Sequence, residues 1–423
     1  MIIHNHDGIP DGNTEDPVLV TTPREGIPDV VDTPEALEAA VEKLMTVDTP
    51  VACDAERAQG FRYGADPYLI QIRREGAGTF LIDAHALPDL RAMQPLVDQS
   101  QRWLLHAADQ DLPNLRQLGL SPRHLFDTEI AAQLLGFERI GLAAVCEQVL
   151  GLAIAKDHQA ADWSVRPLPK DWLRYAALDV ELLTELYRNM AKELHDLGRW
   201  DWAREEFKWT LAKPAPAPKP ERWRTLPGAS KIKSRRGLAV LKELFEARES
   251  VARQIDLSPG RLVRNAALVR AATQPPKTKR ALMAMSEFRT PKAREYTDTW
   301  LRAINRGLTA HDKDLPPKHR ARVRDSIPPV RQWARIDEDA FARLQAVRAS
   351  VAEVAEGLGL SSETVLAPKV QRYMAWAPMD DPTRTLPEQV DKRFEEAGAR
   401  NWQRTLTREG LVAALSEKPA DVA

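Results

Sequence analysis

Cysteine is almost absent from this sequence: only Cys53 and Cys146 occur in 423 residues. Their separation suits neither a disulfide framework nor a zinc site, so both are expected as small buried thiols in a reducing compartment. Long apolar runs are missing too, and no stretch approaches the roughly 20 residues of a membrane-crossing helix. The first 30 residues are polar, acidic and rich in Pro and Gly rather than signal-like. A flexible segment over 1–30 and a soluble, cytoplasmic protein without a membrane partner are therefore expected. Net charge is also scarce, at −1.

That near-neutral total conceals an asymmetry. Residues 1–212 carry −15 and residues 213–310 carry +14, while the remainder balances. An acidic front joined to a basic middle suits an enzyme that collects metal ions in one part and grips a polyanion with another. The chain is too long for a single growing core, so two or three domains are expected.

Residues 51–105 read as a sheet. Val51 to Glu56, Tyr68 to Arg73, Thr79 to Ala84 and Trp103 to His106 are short apolar or alternating runs, the first three separated by Gly, Asp and Pro. Beyond Asp109 the spacing of Leu112, Leu115 and Leu118 turns helical and continues through Ile130, Ala131, Leu134 and Leu135. This predicts an α/β domain with a mixed sheet over 31–211. The Pro-rich run 212–230 predicts a semi-rigid linker. Helical periodicity then spans 231–310, breaks over a linker at 311–335, and resumes over 336–416. The two helical regions resemble each other: ARESVA at Ala247–Ala252 matches VRASVA at Val347–Ala352, and Leu257-Ser258-Pro259 matches Leu360-Ser361-Ser362. A duplicated all-α module is expected.

Three short motifs could carry chemistry. Asp54 and Glu56 lie two apart on a strand, so their carboxylates project from one face and repel unless a cation sits between them. Asp111 follows a strand end in HAADQDL, where Asp109 is expected to cap the helix and His106 to be a hydrogen-bonded structural residue. Tyr175 and Asp179 lie four apart on a helix, hence on one face. Each motif alone is ordinary. Together the four acids form an oxygen-only set, which selects hard cations such as Mg²⁺ or Mn²⁺. Two such ions can polarise a phosphodiester and neutralise its leaving oxygen.

In this order, Asp54/Glu56, Asp111 and Tyr175/Asp179 resemble the Tyr-bearing branch of the DEDD exonuclease superfamily. The stretches CDAERAQGFRYGADPYLIQIRR, LLHAADQDLPNLRQLGL, LFDTEIAAQLLG and LGLAIAKDHQAADWSVRPLPKDWLRYAALDVELLTELY are similar to ribonuclease D. The resemblance implies a ribonuclease-H-like 3′-5′ exonuclease fold. It also implies two divalent ions (Mg²⁺ or Mn²⁺) on Asp54, Glu56, Asp111 and Asp179, and Tyr175 orienting the attacking water.

Arg57 departs from the family, which often has an aromatic or aliphatic residue there; it is expected to face either the terminal nucleotide or, by strand alternation, solvent. Residues 231–310 resemble an HRDC domain and 336–416 a divergent second copy. Lys231, Lys233, Arg235, Arg236, Arg261, Arg264, Lys277, Lys279 and Arg280 are expected to contact phosphates. The implied activity is 3′-end hydrolysis of RNA, such as tRNA or other structured precursors, by a monomer. A DNA exonuclease would use the same acids. A catalytically inactive RNA scaffold would gain nothing from clustering them beside a polyanion.

Overall fold

The computed structural model describes residues 16–416 except 88, 155–160, 216, 218 and 320–326. Eight strands form among them: β1 (Val18–Val20), β2 (Val30–Val31), β3 (Val51–Arg57), β4 (Pro67–Arg74), β5 (Gly78–Ile82), β6 (Trp103–Leu105), β7 (Leu125–Asp127) and β8 (Leu152–Ile154). Every residue of β4 is buried, as befits a central strand covered on both faces. β4 pairs antiparallel with β3 and β5, while β6, β7 and β2 add parallel strands, giving the order β2-β5-β4-β3-β6-β7. This is the expected mixed sheet.

Eight helices accompany the strands: α1 (Pro34–Leu44), α2 (Gln94–Gln99), α3 (Leu112–Gln117), α4 (Thr128–Leu135), α5 (Leu142–Leu150), α6 (Lys170–Glu181), α7 (Leu183–Asp196) and α8 (Trp200–Ala212). α6 packs against β3, β4 and β5, which brings its inner face over the sheet next to Asp54.

The segment ahead of β2 is not loose as expected. β1 pairs in parallel with β8, the Arg24 guanidinium reaches Glu185, and Glu25 accepts from Arg73 at 3.2 Å. Three consecutive β-branched or leucine residues and complementary charges dock residues 16–30, while 1–15 lie outside the described residues.

Two helical modules follow, each with its own apolar core. The first holds α9 (Arg235–Gln254), α10 (Pro259–Leu262), α11 (Asn265–Thr273), α12 (Lys279–Met283), α13 (Pro291–Glu295) and α14 (Thr297–Thr309). The second holds α15 (Trp333–Ile336), α16 (Glu338–Leu358), α17 (Ser362–Val365), α18 (Pro368–Trp376), α19 (Leu386–Ala397) and α20 (Asn401–Ser416). A long helix, a one-turn helix and a nine-residue helix succeed one another in both modules, as the internal similarity predicts. Both expected linkers are shorter than their composition suggests. Trp223 and Ala229 are buried in the first module's core and Trp333 in the second's, because a large indole finds cover even inside a Pro-rich stretch.

Both modules are seated on the α/β domain. Ser258 N–H donates to the Phe61 carbonyl at 2.9 Å, and Arg261 donates to Gly60 at 2.8 Å with its guanidinium 3.9 Å above the Phe61 ring. On the other side Trp202 stacks on Trp402, centroids 5.1 Å apart. Arg199 donates to the Leu134 carbonyl at 2.7 Å and to the Leu358 carbonyl at 2.5 Å, joining the ends of α4 and α16. Among the described residues no helix is long and apolar enough to cross a membrane.

Candidate active site

β3 starts as Val51-Ala52-Cys53, fully buried, and its end carries Asp54 and Glu56 to the wall of a cavity of about 640 Å³. Tyr175 and Asp179 reach the same cavity from α6, and Asp111 reaches it from the start of α3. One carboxylate oxygen each from Asp54, Glu56 and Asp179 lies within 4.8 Å of the other two. Asp111 hydrogen-bonds to Asp54, so all four sequence-selected acids are adjacent. The Tyr175 hydroxyl donates to Asp179 one turn along.

Crowding four carboxyls in a buried place disfavours ionisation. Burial, reinforced by Asp54, Asp179 and Asp111, pushes Glu56 up to about 10. Asp111 and Asp179 are held well above the ordinary carboxyl range by burial and then by Asp54, and Asp54 itself is raised by burial. Without cations such a set retains protons in part, the Arg57 guanidinium opposing the rise at Asp54, Glu56 and Asp111; with cations it becomes a ligand set. Asp111 Oδ1 is buried with no hydrogen-bond donor directed at it, and the donors are all hard oxygens. The residues therefore fit divalent metal ions of the Mg²⁺ type.

The loop that presents Asp111 depends on a residue outside the three motifs. Asp127, at the end of β7, accepts from the N–H groups of Ala107 at 3.0 Å, Ala108 at 2.8 Å and Glu129 at 2.9 Å. It thereby caps α4 and holds Ala107 at φ 57, a left-handed conformation costly for alanine. Its position, an Asp directly before a helical run in LFDTEIAAQLL, was the available signal. Asp109 is not the expected cap: it sits in the 3₁₀ turn Ala108–Gln110 and pairs with Lys213. His106 Nδ1 lies 2.9 Å from the Thr128 hydroxyl, and burial lowers the ring to about 4, so it is neutral at pH 7.

Arg57 neither faces solvent nor lies free for a nucleotide. The β3–β4 register slips between Glu56 and Arg57, which breaks the strict alternation, and Arg57 Nη1 lies 3.1 Å from Asp111 Oδ1.

The expected phosphate contacts divide. Arg235 donates to the carbonyls of Leu315, Asp312 and Pro316, Arg236 to those of Leu308 and Ala310, and Arg261 to Gly60. These three guanidiniums hold the module together or to its neighbour, because carbonyl clusters at helix ends and loops outcompete solvent for a planar donor. Lys231, Lys233, Arg264, Lys277, Lys279 and Arg280 are exposed.

Comparison with known proteins gives families to three parts of the chain and assigns the last to a family other than the expected second HRDC copy. Residues 28–195 match the 3′-5′ exonuclease family and 237–304 the HRDC domain. Residues 326–415 match a separate family, the 3′ to 5′ exonuclease C-terminal domain. The chain is 32% identical over 291 residues to ribonuclease D of Bartonella henselae, covering 67% of this chain and 71% of that protein. It is 32% identical to ribonuclease D of Nitrobacter hamburgensis over 50% of this chain and 56% of that one. A crystal structure of a protein from Bifidobacterium adolescentis superposes with a TM-score of 0.87 at 35% identity, covering 95% of this chain and all 100% of the other. Escherichia coli RNase D, an exoribonuclease involved in structured RNA processing, shares the fold (TM-score 0.64, 24% identity, 92% of this chain and 99% of that one). With this exonuclease domain, this acidic cavity and these relatives, the chain belongs to the ribonuclease D family.

Proposed function

We propose that this chain shortens RNA from its 3′ end, one nucleotide at a time, with tRNA or other structured precursors as substrates. The observation that carries this reading is the convergence of Asp54, Glu56 and Asp179 within 4.8 Å at a cavity wall, beside a tyrosine and a fourth acid. Asp54, Glu56, Asp111 and Asp179 would hold two divalent ions, Mg²⁺ or Mn²⁺. Those ions, when bound, supply charge neutralisation at the scissile phosphate and at the departing 3′ oxygen.

The chain's own groups do the rest. Tyr175, on the same face of α6 as Asp179, would orient the attacking water in line with phosphorus. Water adds its oxygen to phosphorus, the P–O3′ bond breaks, and the shortened strand leaves with a 3′ hydroxyl and the nucleotide with a 5′ phosphate. Neutral His106 donates no charge to this process. Gly141 to Ala144 and Ile154 line the same cavity as the acids, a space suited to the last nucleotide rather than to a continuous strand. Exposed Lys231, Lys233, Arg264, Lys277, Lys279 and Arg280 supply nonspecific phosphate contacts for the upstream RNA. Two buried, unlinked thiols suit a cytoplasmic protein.

Purified chain should be incubated with RNA labelled at either end, and with DNA of the same sequence, with Mg²⁺, Mn²⁺ or EDTA. The 3′ label should leave at once as mononucleotide, the 5′-labelled RNA should shorten stepwise, and EDTA should stop both. Faster loss of the DNA would overturn the RNA assignment.

A further inference from the structure

Arg57 is misplaced for a surface residue and for a residue waiting on substrate. It stands at a register slip in β3, the side chain is 21% exposed, and its Nη1 lies 3.1 Å from Asp111 Oδ1, whose side chain is 4% exposed. The same Nη1 donates to the Gln110 carbonyl at 2.5 Å. The pairing with Asp111 is close in charge yet poor in alignment, since Asp111 Oδ1 receives no directed hydrogen bond. Meanwhile one oxygen each from Asp54, Glu56 and Asp179 lies within 4.8 Å of the other two, a group that Asp111 joins only through its contact with Asp54. The fourth acid is thus attached to an internal cation while the other three are drawn together around a common point.

We propose that Arg57 is a resident counter-cation for Asp111 that one metal ion must displace, and that the freed guanidinium then holds a phosphate of the bound RNA. The proposal rests on the metal-dependent reading above. A guanidinium and a divalent ion cannot both neutralise one buried carboxylate oxygen without strong mutual repulsion, so loading that ion detaches Arg57. Its Gln110 contact and its position on the cavity wall leave the displaced group facing the space where the substrate's phosphates must pass. A planar five-donor fork suits a phosphate better than a lone carbonyl does. Arg57 therefore keeps the fourth acid neutralised while the site is empty and couples ion loading to substrate grip.

The test compares wild type, Arg57→Leu and Arg57→Lys in the full-length chain. Mn²⁺ binding by calorimetry reads the metal sites without turnover, and RNA binding in Ca²⁺ reads the phosphate contact. In Arg57→Leu the weaker of two Mn²⁺ sites should tighten about tenfold, the scale of a partly buried ion pair. In the same variant RNA should bind more weakly, with a salt slope shallower by roughly 0.7 for the one phosphate no longer neutralised. Arg57→Lys keeps a point charge and should bind Mn²⁺ as wild type does. Circular dichroism confirms that each variant is folded, and Arg57→Gln, which also removes the charge and should tighten Mn²⁺ binding in the same way, provides the reading if the leucine variant is not. Unchanged Mn²⁺ affinity in Arg57→Leu, or weaker Mn²⁺ binding in it, would overturn the latch alone. Absence of Mn²⁺ binding in wild type would overturn the metal-dependent reading, and the latch with it.

Discussion

A hydroxyl one helical turn from a proposed metal ligand can be tested apart from the metals. Tyr175→Phe keeps the ring packed near Trp163, with centroids 6.4 Å apart, and removes only the donor to Asp179. Single-turnover cleavage in Mn²⁺ should slow about 10²-fold, the usual cost of one positioning hydrogen bond, with RNA affinity in Ca²⁺ unchanged. Equal single-turnover rates would make Tyr175 a packing residue. The raised carboxyls make a second test at this scale. Glu56 titrates near 10 in the folded chain and near 4.3 when unfolded, so the folded state binds the extra proton across that interval. Stability from this proton is present below pH 4 and is lost as pH rises toward 10. Metal-free protein should therefore melt at progressively lower temperature from pH 6 to 9, and saturating Mg²⁺ should flatten the trend because it replaces the proton. A melting temperature that rises over that range without metal would contradict the assignment. Asp111 was singled out from Asp109 only by the family resemblance; the other four of the five candidate residues were legible in the sequence, because strand and helix periodicity place Asp54 with Glu56 and Tyr175 with Asp179 on shared faces. Arg57 was not, since a one-residue slip in pairing cancels the alternation that located Asp54 and Glu56.

Elements act on the site through a few buried polar residues. Asp127→Ala would leave the amides of Ala107 and Ala108 without an acceptor and α4 without a cap, at a cost of about 3 kcal/mol. Because Ala107 is held in a left-handed conformation by those bonds, the turn carrying Asp111 should relax, and activity should fall more than the loss of folded protein explains. Thermal denaturation with activity measured at equal folded fraction checks this; proportional losses would show that Asp127 serves stability alone. Strands β3 to β6 were legible from apolar runs, with ends shifted by one or two residues. β1, β2, β7 and β8 were not, being two or three residues long and defined by partners far along the chain. Gly136 shows the same limit: at φ +82, an added Cβ would stand 2.3 Å from the Gly359 carbonyl, an approach of α4 to α16 that local sequence cannot announce.

At the scale of the whole molecule, charge alone did not say which cations face RNA. The +14 of residues 213–310 includes side chains with opposite duties. Arg235 and Arg236 fasten the turn after α14 to the start of α9, whereas Arg264, Lys277, Lys279 and Arg280 project from the module. The two groups should fail differently. Replacing Arg264, Lys277, Lys279 and Arg280 together with Ala should leave the melting temperature nearly unchanged, since exposed charges contribute little to stability. RNA should bind more weakly, and the slope of log affinity against log salt should become shallower by roughly 0.7 for each phosphate left without its cation, because fewer counterions are released. Cleavage of a short oligonucleotide confined to the cavity should be untouched. Arg236→Ala should instead lower the melting temperature, by an amount matching about 1 kcal/mol for partly buried carbonyls left without a donor, while the salt slope of the folded fraction stays that of wild type. Filter binding at several salt concentrations, run beside calorimetric melting, separates the two. If the fourfold variant keeps the wild-type slope, the exposed face of the first helical module does not carry RNA, and the −15 of the preceding residues would have to be overcome at the cavity itself.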